Sequence, residues 1–220
     1  MKPPFIKSLF AAACLASVLS AAQAGVIFQD DFTGDDTAEL TTPWTQTEAA
    51  KLKKDGAFAI GEGIGPAGQF AAYYSGVTMG AGGKWLISAE ITQTKRTDGW
   101  AGLGLALDAH PDIWKLANNS ILSSGELVYQ TPWGNPSSEC HYLSGGTPLN
   151  DGETVTYAIQ VDNTGTDTVL SYFKDGILLS SWTNTGHGIL TYGSQGLIGY
   201  TPGAVLGKYK KFTIETVEKK

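Results

Sequence analysis

The stretch from Trp100 to His110 most constrains the fold, because its two faces differ strongly if the chain is extended there. Side chains alternate across a β-strand, so one face carries three leucines and is expected to lie in the core. The other face carries an aromatic ring, a floor of nearly absent side chains, and then a carboxylate and an imidazole. Its residues are Trp100, Gly102, Gly104, Ala106, Asp108 and His110, opposite Leu103, Leu105 and Leu107. Glycine weakens a strand interior, so we expect either a ligand or another chain segment against this floor.

Residues 1–24 have the order of a secretory signal peptide: two lysines, an apolar run over Leu9–Leu19, and a small-residue motif ending at Ala24. The apolar run is shorter than the roughly 20 residues that span a bilayer. We therefore expect a single domain over residues 25–220, secreted or periplasmic, with no membrane insertion.

Composition excludes several partners and sites. The chain has 21 acidic and 15 basic residues, a net charge of −6, which repels the phosphates of nucleic acid. Cys140 is the only cysteine outside the signal segment, so neither an intrachain disulfide nor a thiolate zinc site is expected. The sequence leaves the oligomeric state and the role of Cys140 open.

Strand patterns are dense and helical periodicity is scarce along the rest of the chain. The clearest alternation of apolar and polar residues runs from Thr154 to Asp162. Further strands are predicted at Phe58–Ile60, Gln69–Ser75, Trp85–Gln93, Trp100–Ala109, Glu126–Gln130, Gly196–Tyr200 and Lys210–Val217. No helix of crossover length separates them, so the pattern predicts an all-β, antiparallel two-sheet sandwich.

Asp175-Gly176 lies between two strand patterns and predicts a hairpin with a two-residue turn. Such a turn sets the register. It places Phe173 opposite Leu178, and Val169 opposite Trp182.

Several segments together resemble the concanavalin A-like lectin and glucanase superfamily, in the laminin G-like group of secreted bacterial proteins. They are Ile27–Phe32, Gly99–Gly104, Tyr157–Asp162, the Tyr172–Gly176 hairpin and Phe212–Ile214. The resemblance implies a jelly roll with its first and last strands paired. It also implies ligands on the concave sheet face or its rim loops.

Glucanases of this superfamily carry Glu-x-Asp-x-Glu on one strand, which puts three carboxylates on one face. The strand of this chain that resembles the glucanase strand is Trp85–Gln93. It carries Ser88, Glu90 and Thr92 on the corresponding face, so only the central position is acidic. Carboxylates from separate strands, Glu90 with Asp108 or Glu126, remain open as a catalytic pair. The hairpin also resembles part of an alginate lyase signature, but the Arg-rich strand and the Gln-x-His strand of that signature are missing.

Aromatic and polar residues point instead to sugar binding, because rings stack on the apolar faces of sugars while polar groups bind hydroxyls. The candidate ligand-binding residues are Trp100, Asp108, His110, Trp114, Trp133, His141 and Tyr142. We expect a secreted lectin-like domain that binds a polysaccharide or other glycan without cleaving it. The alternatives are a glycoside hydrolase or polysaccharide lyase that uses dispersed residues, and a structural adhesion module.

An acidic cluster near the start of the domain suggests one metal. Asp30, Asp31, Asp35 and Asp36 offer oxygen ligands of the kind that calcium takes. Members of the resembled superfamily often carry a structural calcium, so Asp30 and Asp31 are candidate ligands. No other cofactor is expected.

Overall fold

The computed structural model describes residues 25–34, 39–46, 52–56, 58–62, 69–94, 99–105, 119–130, 140–200 and 205–218. These residues form fifteen β-strands and no α-helix, so the predicted all-β class is confirmed. Over the same residues, no helix has the length and hydropathy that crossing a membrane requires.

The strands form two antiparallel sheets. The eight-stranded sheet has the order β13 (Ile177–Thr183), β12 (Val169–Lys174), β11 (Thr154–Asp162), β6 (Lys84–Gln93), β15 (Val205–Thr216), β4 (Ala59–Glu62) and β3 (Leu52–Lys54), with β1 (Gly25–Asp30) also on β15. The seven-stranded sheet has the order β10 (Cys140–Leu143), β9 (Leu127–Gln130), β8 (Ser120–Leu122), β7 (Trp100–Leu105), β14 (Gln195–Tyr200), β5 (Gln69–Tyr74) and β2 (Trp44–Gln46).

The core lies between the two sheets and is built by alternation along the central strands. Ile87, Ala89 and Ile91 of β6 are buried, as their period-two spacing predicts. Leu103 and Leu105 of β7 meet them from the other sheet as members of the same apolar cluster. The leucine face of the Trp100 strand is therefore core, as expected.

The predicted hairpin forms, with one error in its register. Asp175 and Gly176 have φ angles of 51° and 77°. Positive φ at both central residues is what a two-residue type I′ hairpin turn requires. Phe173 pairs with Leu178 as predicted, but Trp182 pairs with Leu170 and not with Val169. A bulge between Leu178 and Ser180 adds one residue to β13, which shifts every later pair.

The first and last strands pair, as the family resemblance implied. Register runs from Gly25 opposite Thr216 to Asp30 opposite Phe212. The Gly25 backbone N–H also donates to Thr216 Oγ1 at 3.2 Å. The two ends of the described domain are therefore held side by side.

One buried side-chain amide, that of Asn163, links two loops that are distant in sequence. Asn163 is 1% exposed, and its Nδ2 donates to the backbone oxygens of Met79 at 3.1 Å, Gly80 at 3.2 Å and Leu190 at 2.9 Å. Its Oδ1 accepts from Thr168 Oγ1 at 2.6 Å. Buried polar groups are costly unless bonded, and this side chain satisfies several of them at once.

Candidate functional site

Trp100 faces away from the eight-stranded sheet, on the outer face of the seven-stranded sheet. It is only 9% exposed and belongs to a second apolar cluster on that face. The other buried members are Ala71, Leu122, Val128 and Ile198, with Tyr73 packed against them. Little of the Trp100 ring is therefore open to a sugar in this arrangement.

The glycine floor beside Trp100 is also packed. A Cβ added at Gly102 would overlap the carbonyl oxygen of Ile121 on β8 and lie 2.8 Å from Leu122 Cδ2. Of the two expectations for this floor, the approach of another chain segment therefore holds at Gly102, where the neighbouring strand β8 leaves no room for a side chain. Gly104 is buried as well. Close backbone approach is one of the ordinary reasons for glycine in a strand.

Four of the predicted ligand-binding residues lie outside the described residues: Asp108, His110, Trp114 and Trp133. Their roles stay predictions.

Among the predicted site residues that the structure describes, Tyr142 is the most exposed aromatic. It lies on the edge strand β10, on the outer face of the seven-stranded sheet, and is 64% exposed. Strand pairing extends a single row from it across the sheet. That row is Tyr142, Val128, Ser120, Gly104, Gly196 and Tyr73. At about 4.8 Å per strand, Tyr142 and Tyr73 are roughly 24 Å apart along this row, with small or buried residues between them.

His141 points the other way, into the gap between the edges of the two sheets. Its ring stacks on Tyr129 with centroids 5.0 Å apart, and Tyr129 stacks on Trp182 at 4.6 Å. Trp182 comes from β13 of the other sheet and packs against the core. Tyr129 was not predicted, although its spacing of two from buried Leu127 places it on the inner face.

The structure does not bring Glu90 and Glu126 together. Glu90 lies on β6, on the outer face of the eight-stranded sheet, because its neighbours Ala89 and Ile91 face the core. Glu126 immediately precedes β9 of the other sheet and accepts a hydrogen bond from Ser124 Oγ at 2.8 Å. A partnership of either carboxylate with Asp108 remains a prediction, since Asp108 is outside the described residues.

Asp30 and Asp31 organise the turn after β1. Asp30 accepts the Phe32 backbone N–H and Trp44 Nε1, both at 2.7 Å. Asp31 accepts Thr33 Oγ1 at 2.8 Å and the Thr33 N–H at 3.1 Å, and these bonds lower the pKa of Asp31. No group of three histidine, cysteine or acidic residues is placed to hold a metal ion within the described ranges. Asp35 and Asp36 lie outside them, so calcium stays a prediction.

Comparisons with known proteins agree with this architecture. No protein-family model and no curated protein sequence matches the chain. An endo-1,3-beta-glucanase from Streptomyces sioyaensis matches with a TM-score of 0.58 and 13% identity, over 90% of this chain and 98% of that one. The laminarinase from Rhodothermus marinus matches with a TM-score of 0.59 and 10% sequence identity, over 89% of this chain and 99% of that one. The carbohydrate recognition domain of Emp47p matches with a TM-score of 0.54 and 12% sequence identity, over 90% of this chain and 99% of that one.

These likenesses define the class of the fold, the antiparallel jelly-roll sandwich that glucanases and lectins share. Within that class the fold is concanavalin A-like, as the resemblance implied for the fold, while the laminin G-like grouping stays a prediction.

Proposed function

We propose that this protein is an exported carbohydrate-binding domain that holds a glycan without cleaving it. Three observations support the proposal. The fold is that of a solved carbohydrate recognition domain, an exposed aromatic stands on the edge of one sheet, and two candidate catalytic carboxylates lie on different sheets. The signal-like residues 1–24 support a location outside the cytoplasm.

Tyr142 is the observation that carries the proposal. Tyr142 is 64% exposed on a structured strand, so its ring is accessible to a ligand. The ring lies at the end of the row that leads to Tyr73, and its hydroxyl adds a hydrogen-bonding group. Sugar rings present C–H faces that stack on such a plate. The glycan is therefore expected to bind at the β10 edge of the outer face.

The position of Glu90 favours binding over hydrolysis. Glycoside hydrolysis needs two carboxyl groups about 5 to 9.5 Å apart on either side of the scissile bond. Glu90 is flanked on its face by Ser88 and Thr92, and Glu126 belongs to the other sheet.

A glycan array probed with the exported chain, in calcium and again in a chelator, tests the proposal. Glycans that bind are then titrated against Tyr142→Ala and Tyr142→Phe. Loss of the ring should weaken binding about tenfold, because a stacked aromatic contributes up to about 1.5 kcal/mol. Tyr142→Phe keeps the ring and should bind nearly as well as the wild type.

Ile177→Ala is the matched control, since Ile177 is equally exposed, at 68%, on the hairpin of the other sheet. It should leave binding unchanged. Binding that survives Tyr142→Ala at full strength would move the site elsewhere. An array without a single bound glycan would end the proposal, and release of reducing sugar from a bound polysaccharide would replace it with hydrolysis.

A further inference from the structure

The outer face of the eight-stranded sheet carries a lysine cluster, although the chain as a whole is acidic. Register places Lys53 of β3 and Lys208 of β15 on either side of Ile60, in one row across the strands. Lys210 follows two residues after Lys208, on the same face. We call Lys53, Lys208 and Lys210 the lysine face. Across the strands Lys53 and Lys208 are about 10 Å apart, and along β15 two residues cover about 7 Å.

Two of these ammonium groups converge on one aromatic ring. The Nζ atoms of Lys208 and Lys210 lie 5.3 Å and 5.5 Å from the centroid of Phe58. Phe58 immediately precedes β4 and is half-buried. Cation–π attraction holds each lysine head near the ring. The pair therefore presents fixed positive charge beside an apolar surface.

Acidic residues stand beside each lysine of the lysine face, and Glu39 lies opposite Lys53 in an antiparallel bridge. Asp55 approaches Lys208 Nζ at 3.5 Å, with both side chains substantially exposed. Exposed ion pairs of this kind are weak and exchange readily with other anions. Glu90 stands opposite Lys210 in the register of β6 and β15. An incoming anion would therefore compete with Asp55 for Lys208 and be repelled by Glu90.

Threonine hydroxyls continue the lysine row across the sheet. Thr92 pairs with Lys208 on one side and with Thr154 on the other. The Oγ1 atoms of Thr92 and Thr154 are 2.8 Å apart. Thr156 lies opposite Glu90 in the next row. Hydroxyl groups are suited to bind the hydroxyls of a sugar.

We propose that the lysine face binds an acidic polysaccharide, one whose sugars carry carboxylate or sulfate groups. Sparse ammonium groups, a half-buried ring and neighbouring hydroxyls match a polymer with about one charge per sugar. Duplex DNA is a poorer match, because it carries a charge every 1.7 Å or so and would meet Glu90 and Asp55 at close range. This site is on a different sheet from Tyr142 and does not depend on the function proposed above.

Calorimetric titration with polygalacturonate, at low and high salt, tests the lysine face, with neutral dextran as the uncharged comparison. The double variant Lys208→Gln/Lys210→Gln should weaken binding of polygalacturonate about thirtyfold at low salt. Glu90→Gln should strengthen it several-fold, because it removes a repulsive carboxylate. This gain cannot come from misfolding, so it protects the test against a damaged variant.

Lys84→Gln is the matched control. Lys84 also lies on the eight-stranded sheet, where it pairs with Asp162 at 3.0 Å, but on the far end of β6 from Glu90 and Thr92. It should bind polygalacturonate like the wild type. Unchanged binding in the double variant, or binding that ignores salt, would overturn the assignment. Tighter binding of duplex DNA than of polygalacturonate would also overturn it.

Discussion

Substituting Gly102 by alanine tests whether the face beside Trp100 is a packed contact or an open groove. The added Cβ would overlap the Ile121 carbonyl oxygen and lie 3.1 Å from the Ile121 carbonyl carbon. These are backbone atoms of a paired strand, so they cannot move away without disturbing the pairing of β7 with β8. Overpacking of this kind costs about 1 to 3 kcal/mol. For a domain of this size, 2 kcal/mol lowers the melting temperature by about 4 to 8 °C.

Gly80→Ala is the control, because a Cβ at Gly80 meets nothing within 4 Å. Alanine there reduces the entropy of the unfolded chain and should leave stability unchanged or raise it by up to about 1 kcal/mol. Thermal melting of the two variants, followed by far-ultraviolet circular dichroism, gives the comparison. Equal melting temperatures would refute the packed contact at Gly102 and restore the open floor.

Two further predictions concern stability. Asn163→Ala should lower the free energy of unfolding by about 3 kcal/mol in urea titrations, because it leaves buried carbonyl oxygens without their donor. Asn150→Ala, which removes an exposed amide bonded to Glu153, should cost almost nothing, and similar losses for both would contradict the buried role. Asp167 accepts the backbone N–H groups of Gly186 and Gly188, which lowers the pKa of its carboxyl. A lowered folded-state pKa adds stability above the unfolded value of 3.8, and that stability is lost as the pH falls through the folded-state pKa. Asp167→Asn should therefore be less stable than the wild type at neutral pH and equally stable in acid, and a pH-independent difference would exclude this linkage.

Local sequence rules predicted the long strands and the hairpin turn, because alternation and an Asp-Gly pair act over a few residues. The strand Thr154–Asp162 has the predicted ends, and β6 differs from its prediction by one residue. The register error at Trp182 came from a bulge at Leu179, which packs against the core. The adjacent identical residues Leu178 and Leu179 give no sign of which one the ladder omits.

The short strands were missed for a different reason. Trp44–Gln46, Leu52–Lys54, Ser120–Leu122 and Cys140–Leu143 are three or four residues long, too short for periodicity to emerge. Pairing with a neighbouring strand defines them, as β3 pairs with β4 and β8 pairs with β9.

The candidate site was predicted only in part, because facing direction does not determine exposure. Alternation correctly placed Trp100 and Leu103 on opposite faces, but it could not foresee that the Trp100 face is covered. The same limit applies to His141 and Tyr142, which are adjacent in sequence and were predicted to act together. Because adjacent side chains alternate along the edge strand β10, they face opposite sides. His141 stacks on Tyr129, and Tyr142 is 64% exposed.

The side-by-side arrangement of Gly25 and Thr216 determines how this domain would respond to mechanical load. Because the first and last strands are antiparallel neighbours that start and finish at the same end, a pull on both termini acts across the hydrogen bonds of β1 and β15. The bonds then open one after another from Gly25 towards Asp30, as a zipper does, and do not share the force as they would in shear. The domain is therefore expected to yield first at β1 under tension, while the pairs between β6 and β11 deeper in the same sheet remain closed.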